Sequence, residues 1–268
     1  MQEFRQIQHF QLIRDSSFED TLDILKHLPS FSTLTSLTIN ADCIRSEGND
    51  ELATICFRQH FPFLQRLDLH GNIFERQTES FPNACAFSFP SLLYINVNQL
   101  HYKTAIQILD QCSHLRSFSA KLYAHIDELR ATAIPITLPA RITMGLPALK
   151  KLSLGEDVFL PNEFSSILLE QLLPCCPNLR TFSFHYTCIQ TNQTPLNPDW
   201  WTRILTSNNK LKRFSLEFYI HGVFHALNEQ VVQRFRLLPF FARLNVDVAY
   251  KIERVEFPRM IHIYSIKN

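Results

Sequence analysis

The sequence predicts an α/β fold in which short parallel strands line one side of a solenoid and mainly helical connections line the other. Three observations predict it. The apolar hexamer L-x-x-L-x-L, with Phe, Ile, Val or Ala standing for some leucines, recurs along the whole chain. A proline often sits just before the hexamer. Helix-start signals fall between the copies.

The copies run in order. A weak one opens the chain, Ile7-Gln8-His9-Phe10-Gln11-Leu12. Good ones begin at Leu34, Leu92 and Leu115. The clearest are Leu64-Gln65-Arg66-Leu67-Asp68-Leu69, Leu149-Lys150-Lys151-Leu152-Ser153-Leu154, Leu179-Arg180-Thr181-Phe182-Ser183-Phe184 and Leu211-Lys212-Arg213-Phe214-Ser215-Leu216. A second weak copy begins at Phe241. Starts at 7, 34, 64, 92, 115, 149, 179, 211 and 241 give intervals of 27, 30, 28, 23, 34, 30, 32 and 30. One hexamer match arises readily by chance; nine at near-constant spacing mark a repeat architecture. Nine rungs of a leucine-rich-repeat horseshoe are expected.

The text between copies supports one helix and one strand per unit. Leu28-Pro29-Ser30-Phe31, Phe61-Pro62-Phe63-Leu64, Phe89-Pro90-Ser91-Leu92, Leu146-Pro147-Ala148-Leu149 and Cys176-Pro177-Asn178-Leu179 place Pro at the change from helix to strand. Pro cannot continue a helix and holds its predecessor in extended geometry. Ser16-x-x-Glu19 reads as a capping box ahead of Leu22, Ile24, Leu25 and Leu28. Asn162-Glu163 precedes Phe164, Ile167, Leu168, Leu172 and Leu173. Asn197-Pro198-Asp199 reads as N-cap, first-turn proline and acidic first turn ahead of Trp200 and Trp201. A strand-helix-strand crossover within one sheet makes the strands parallel. Repetition of that unit curves into a solenoid.

Two stretches break the rhythm. Residues 70–91 carry His70-Gly71-Asn72 and Phe81-Pro82-Asn83-Ala84 without a convincing helix, and residues 121–145 are long and contain Pro135 and Pro139. Both read as loop-bearing rungs of a single domain over residues 1–268; a boundary near 121–145 is the alternative.

Leu173-Pro174-Cys175-Cys176-Pro177-Asn178-Leu179-Arg180-Thr181-Phe182 and Phe61-Pro62-Phe63-Leu64-Gln65-Arg66-Leu67-Asp68-Leu69 resemble the repeats of intracellular leucine-rich-repeat proteins, especially the F-box type. In that type an F-box docks a ubiquitin-ligase adaptor and the repeats capture a substrate. The resemblance therefore implies a protein-binding scaffold, with substrate recognition for a ubiquitin ligase as its narrower form. No F-box is found ahead of the first copy. A stand-alone structural or regulatory solenoid is the alternative, and an enzyme with a site assembled across rungs is the third reading.

Composition excludes several classes. The chain of 268 residues is 46% hydrophobic and 19% charged, which is globular rather than disordered. Twenty-three Phe supply bulky core fillers, and only 5 Gly are present. The closest glycines are Gly145 and Gly155, so neither a Walker nor a Rossmann phosphate loop can be written. A net charge of +1 supplies no global field toward nucleic acid or a membrane. No run of 18 apolar residues and no N-terminal signal core are found. The sequon Asn192-Gln193-Thr194 is read as chance. Seven cysteines without a C-x-x-C read as reduced, buried thiols, which suits a cytoplasmic or nuclear compartment. A monomer outside any complex is expected.

Catalytic signals are weak. His221 and His225 stand at i, i+4, but the Glu of H-E-x-x-H and a third ligand are missing. No G-x-S-x-G occurs. Adjacent Cys175 and Cys176 read as core or helix-end thiols rather than a redox pair. Trp200-Trp201 reads as one inward ring and one snorkelling ring rather than an exposed platform. No catalytic, cofactor or metal residue is assigned.

The strand surface is the better candidate. The fourth and sixth hexamer residues face the core, so the third, fifth and seventh face outward. The fifth row, including Thr38, Asn96, Ser119, Ser153, Ser183 and Ser215, is mostly small and polar. The third row holds Arg66, Tyr94, Lys151, Arg213 and Arg243, the candidate partner-binding residues. Arg116, Lys150, Arg180 and Lys212 lie one residue from that row. A basic strip of this kind suits an acidic or phosphorylated segment of another protein; a solvated face is the plain alternative.

Overall fold

A computed structural model describes residues 7–12, 24, 26–27, 33–40, 61–70, 89–124, 136–156, 164–188, 197–206, 208–220, 233–243, 246–251 and 259–265. The capping box at Ser16, most of the irregular stretch 70–91, the sequon, His221 and His225 lie outside these residues. The fold is α/β with parallel strands, and the chain forms two compact units, 1–120 and 121–268.

Eight of the nine hexamers form strands, and each strand begins at the third hexamer residue. They are β1 (His9–Leu12), β2 (Ser36–Asn40), β3 (Arg66–His70), β4 (Tyr94–His101), β5 (Ser117–Tyr123), β6 (Lys151–Glu156), β7 (Thr181–Cys188) and β8 (Arg213–Ile220). In the first unit the order is β1-β2-β3-β4-β5. The pairs β1–β2, β2–β3 and β3–β4 are parallel, with third residue opposite third residue: His9, Ser36, Arg66 and Tyr94. In the second unit β6, β7 and β8 are parallel, and Lys151, Thr181 and Arg213 stand opposite one another.

A shared turn sets this register. The amide of the first hexamer residue donates three residues back: Leu64 to Phe61, Leu92 to Phe89, Leu115 to Cys112, Leu149 to Leu146, Leu179 to Cys176 and Leu211 to Asn208, at 3.1–3.3 Å. In four of these turns Pro follows the acceptor residue, at the position where its fixed φ is already that of the turn. One carbonyl then accepts two amides from the next repeat. Thr35 O takes Gln65 N and Arg66 N, and Arg180 O takes Lys212 N and Arg213 N. Residues after the proline add side-chain ties: Ser91 Oγ donates to Pro62 O at 2.8 Å, and Asn178 Nδ2 to Pro147 O at 2.8 Å.

The fourth and sixth hexamer residues in β2 through β8 are at most 4% exposed, including Leu67, Ile95, Leu152, Phe182 and Phe214. Alternation on a pleat with one buried face produces this. Each such leucine or phenylalanine contributes roughly 1.5–3 kcal/mol by leaving water. In the second unit the helix Pro198–Leu205 covers this layer. Trp201 is fully buried, with ring centroids 5.8 Å from Phe182, 5.5 Å from Phe184 and 6.0 Å from Phe214. The helix starts as its sequence predicts: Asn197 Oδ1 accepts from Asp199 N at 3.0 Å, with Pro198 in the first turn. Helices Tyr102–Gln111 and Phe164–Leu172 bury their own apolar stripes, Ala105, Ile108 and Leu109 in the first, Leu168, Leu169 and Leu172 in the second. Gly145, at φ +116, follows the short helix Ala140–Thr143 in a conformation that side-chain-bearing residues rarely adopt.

The ninth copy departs from expectation. Phe241 N does donate to Leu238 O at 3.0 Å, as in the other turns, and Phe241 is buried against Phe214 at 5.4 Å. Its neighbours do not extend into a rung. They belong to the helix Pro239–Arg243, and the strand β9 (Val246–Lys251) follows. The open edge of β8 is taken instead by β10 (Arg259–Ser265), antiparallel, and β9 pairs antiparallel with β10. A parallel ninth strand has no free ladder to join.

Candidate functional site

Each unit presents a sheet face made of the third, fifth and seventh hexamer residues. In the first unit the third row places Arg66 beside Tyr94, which is 41% exposed. Arg66 is not available as a free cation. Its Nε lies 2.5 Å and its Nη2 3.5 Å from the carboxylate of Asp68. The hydrogen bond to Asp68, followed by that residue's charge, raises the guanidinium above its ordinary pKa. Asp68, a fifth-row residue expected to face solvent, is buried. The signal was present in the sequence. Residues i and i+2 of a strand share a face, so Arg66 and Asp68 project from the same side of β3.

The second unit differs. Its rows stand in register as Lys151, Thr181 and Arg213, then Ser153, Ser183 and Ser215, then Gly155, His185 and Glu217. Lys151 and Arg213 are exposed, and the serines are half-buried. Lys150, Arg180 and Lys212, one residue before each strand, are exposed as well. None of these five cations has an acidic partner among the described residues. Among the described residues, three acids of the unit are already matched. Glu217 Oε2 lies 3.0 Å from His185 Nδ1, Asp199 meets Arg234 at 3.1 Å, and Glu170 meets Arg203 at 2.5 Å. The His185 and Glu217 contact joins seventh-row residues of neighbouring repeats, another pairing legible in the sequence. Register also sets Tyr264 of β10 opposite Ser215 and His262 opposite Glu217.

The structure therefore divides the candidate residues. Lys151 and Arg213 share one row. Arg66 and Tyr94 share another row in the first unit, where Arg66 is neutralised. Arg243 ends a helix and does not belong to a parallel third row.

Trp200, Trp201 and Cys176 are packed into the core. Trp200 and Trp201 are both buried, and Trp200 Nε1 donates to Glu170 Oε1 at 2.6 Å. That excludes an exposed tryptophan platform. Cys176 is fully buried, and burial, followed by the neighbouring Cys175, pushes its thiol up to about 12. Burial also raises Cys175. Such thiols resist forming the thiolate that redox chemistry needs. Among the described residues no group of three His, Cys, Asp or Glu is placed to hold a metal, and no helix is long and apolar enough to cross a membrane. No protein-family model and no curated protein matches the sequence.

Proposed function

We propose that the chain is a leucine-rich-repeat horseshoe that acts as a non-catalytic protein-binding scaffold, its strand face being the docking surface. One observation carries the reading: every parallel strand starts at the same hexamer position, so outward residues stand in continuous rows across neighbouring repeats within each unit. The fifth row is small and polar over β6 to β8, which leaves room for a partner's backbone. The face is rigid because the starts of β2 to β5, β7 and β8 are each held by paired amides on one carbonyl. Rigid scaffolds that display polar rows lose little entropy on binding.

A photo-crosslinking amino acid at Thr38 or Ser183, compared with one at exposed Met144, tests the reading. A partner should be captured from Thr38 or Ser183 and not from Met144. Capture from Met144 alone would place the docking surface elsewhere and end the proposal. The narrower form, substrate capture for a ubiquitin ligase, rests on the resemblance of residues 61–69 and 173–182. Co-purification of the full chain with a ubiquitin-ligase adaptor tests it.

A further inference from the structure

We propose that the row of Lys151, Thr181 and Arg213, flanked by Lys150, Arg180 and Lys212, binds an extended carboxylate-rich segment of a partner protein. This rests on the scaffold reading and specifies the partner's chemistry.

Charge carries the inference. The five cations cluster at the starts of three adjacent strands, while the whole chain has a net charge of only +1. Cations elsewhere in the unit, at Arg203 and Arg234, are matched to Glu170 and Asp199. Those in the row are not matched among the described residues. Their backbone is fixed: Lys150 O accepts from Arg180 N and Thr181 N, and Arg180 O from Lys212 N and Arg213 N. The charges are therefore displayed from a rigid edge.

Spacing selects the ligand. Parallel strands lie about 4.8 Å apart, so Lys151 and Arg213 start from backbone positions about 10 Å apart. This exceeds the Debye length of about 8 Å at physiological salt, so the unliganded row tolerates its own repulsion. An extended peptide crossing the strands presents alternate side chains about 6.8 Å apart, a mismatch that flexible Lys and Arg stems absorb. Thr181 between the cations and Ser153, Ser183 and Ser215 in the next row supply hydroxyl donors and low relief. A single phosphate calls for cations converging on one point, whereas these are spread over three strands. Single-stranded nucleic acid calls for aromatic stacking platforms. Over β6, β7 and β8 neither row contains an aromatic residue.

Fluorescence anisotropy on the full chain decides the matter. The probe is a labelled ten-residue peptide of alternating Glu and Ser. Its Gln counterpart, a phosphoserine peptide of alternating phosphoserine and Gly, and a ten-nucleotide oligothymidylate serve as comparisons. The Glu peptide should bind most tightly and weaken as salt is raised. Lys151→Glu and Arg213→Glu should each weaken it by about tenfold or more, while Arg141→Glu, the same charge change on the helix Ala140–Thr143, should alter it by less than about twofold. Lys151→Gln and Arg213→Gln give the neutral arm should a reversal disturb folding, checked by thermal melts. Equal losses from Arg141→Glu, equal affinity for the Gln peptide, or tighter binding of the phosphoserine peptide or the oligothymidylate would overturn the assignment. The two readings fail separately. A partner cross-linked from Ser183 whose affinity ignores Lys151 and Arg213 removes this proposal and leaves the scaffold. Glu-peptide binding that depends on the row, with cross-links only from Met144, removes the scaffold reading instead.

Discussion

Truncating Phe182 to alanine is the most demanding test of the packing. The ring is fully buried on β7, between its register partners Leu152 and Phe214, and lies 6.1 Å from the Phe214 ring and 5.8 Å from that of Trp201. Phe→Ala in a core costs about 3–5 kcal/mol, from lost transfer energy and the cavity left behind. Two factors favour the upper half of that range. The neighbouring rings are large and rigid, so the cavity cannot collapse easily, and aromatic pairs add about 0.5–1.5 kcal/mol each beyond area. Phe182→Ala should therefore cost about 4–5 kcal/mol, a large share of the roughly 5–15 kcal/mol that holds a domain folded. Ser183→Ala, the outward neighbour, should cost no more than about 0.5 kcal/mol. Both tryptophans of the chain lie in the same compact unit as Phe182, so the urea transition followed by tryptophan fluorescence reports on that unit. Equal losses for the two variants would mean that the inward and outward faces of β7 are exchanged. A loss under about 2 kcal/mol for Phe182→Ala would refute the rigid aromatic layer.

Three further outcomes are expected. Asn197→Ala should destabilise by about 1 kcal/mol in the same melt, because it removes the cap of the helix Pro198–Leu205, and Asn197→Asp should retain most of the stability; equal losses would remove the capping role. Glu170→Ala removes the acceptor of the Trp200 indole N–H, a part-buried bond, and should cost about 1 kcal/mol, with Glu170→Gln recovering most of it; a neutral Glu170→Ala would show that the bond is dispensable. Cys176 supplies a pH test. Its thiol is raised from 9.0 to about 12 in the fold, so the unfolded chain gives up this proton first, and the contribution is intact below pH 9 and is lost as pH rises from 9 toward 12. Stability should fall by up to about 1.4 kcal/mol per pH unit in that window from this group alone. Cys176→Ala should flatten the slope, and an unchanged slope between pH 9 and 11 would contradict the buried thiol.

Much of the fold was legible before any coordinates, because a period-two pleat with one buried face leaves a period-two trace in the residues. Hexamer positions four and six became the core of β2 through β8, and third positions became strand starts. Asn197-Pro198-Asp199 capped its helix because capping is local: side chain, proline and acceptor lie within three residues. The serine row over β6 to β8 followed from the same alternation. Charge pairing along one strand or between equivalent rung positions was also readable, at Arg66 with Asp68 and at His185 with Glu217, although rows taken singly do not reveal it.

Three features depended on tertiary structure. The ninth hexamer satisfies the apolar pattern, yet β8 pairs with β10, a segment with no hexamer at all; edge pairing depends on which strand reaches the free amides, and local sequence carries no record of that competition. Trp200 and Trp201 were assigned one inward and one snorkelling ring, but both are buried, because Glu170 on another helix meets the Trp200 indole. The candidate strip narrowed for the same reason. In the sequence Arg66, Lys151, Arg213 and Arg243 are equivalent third positions, and packing separated them. Asp68 neutralises Arg66, a helix ends at Arg243, and only Lys151 and Arg213 remain in one register with no acidic partner among the described residues, since a charge's availability depends on what the fold brings within a few ångströms of it.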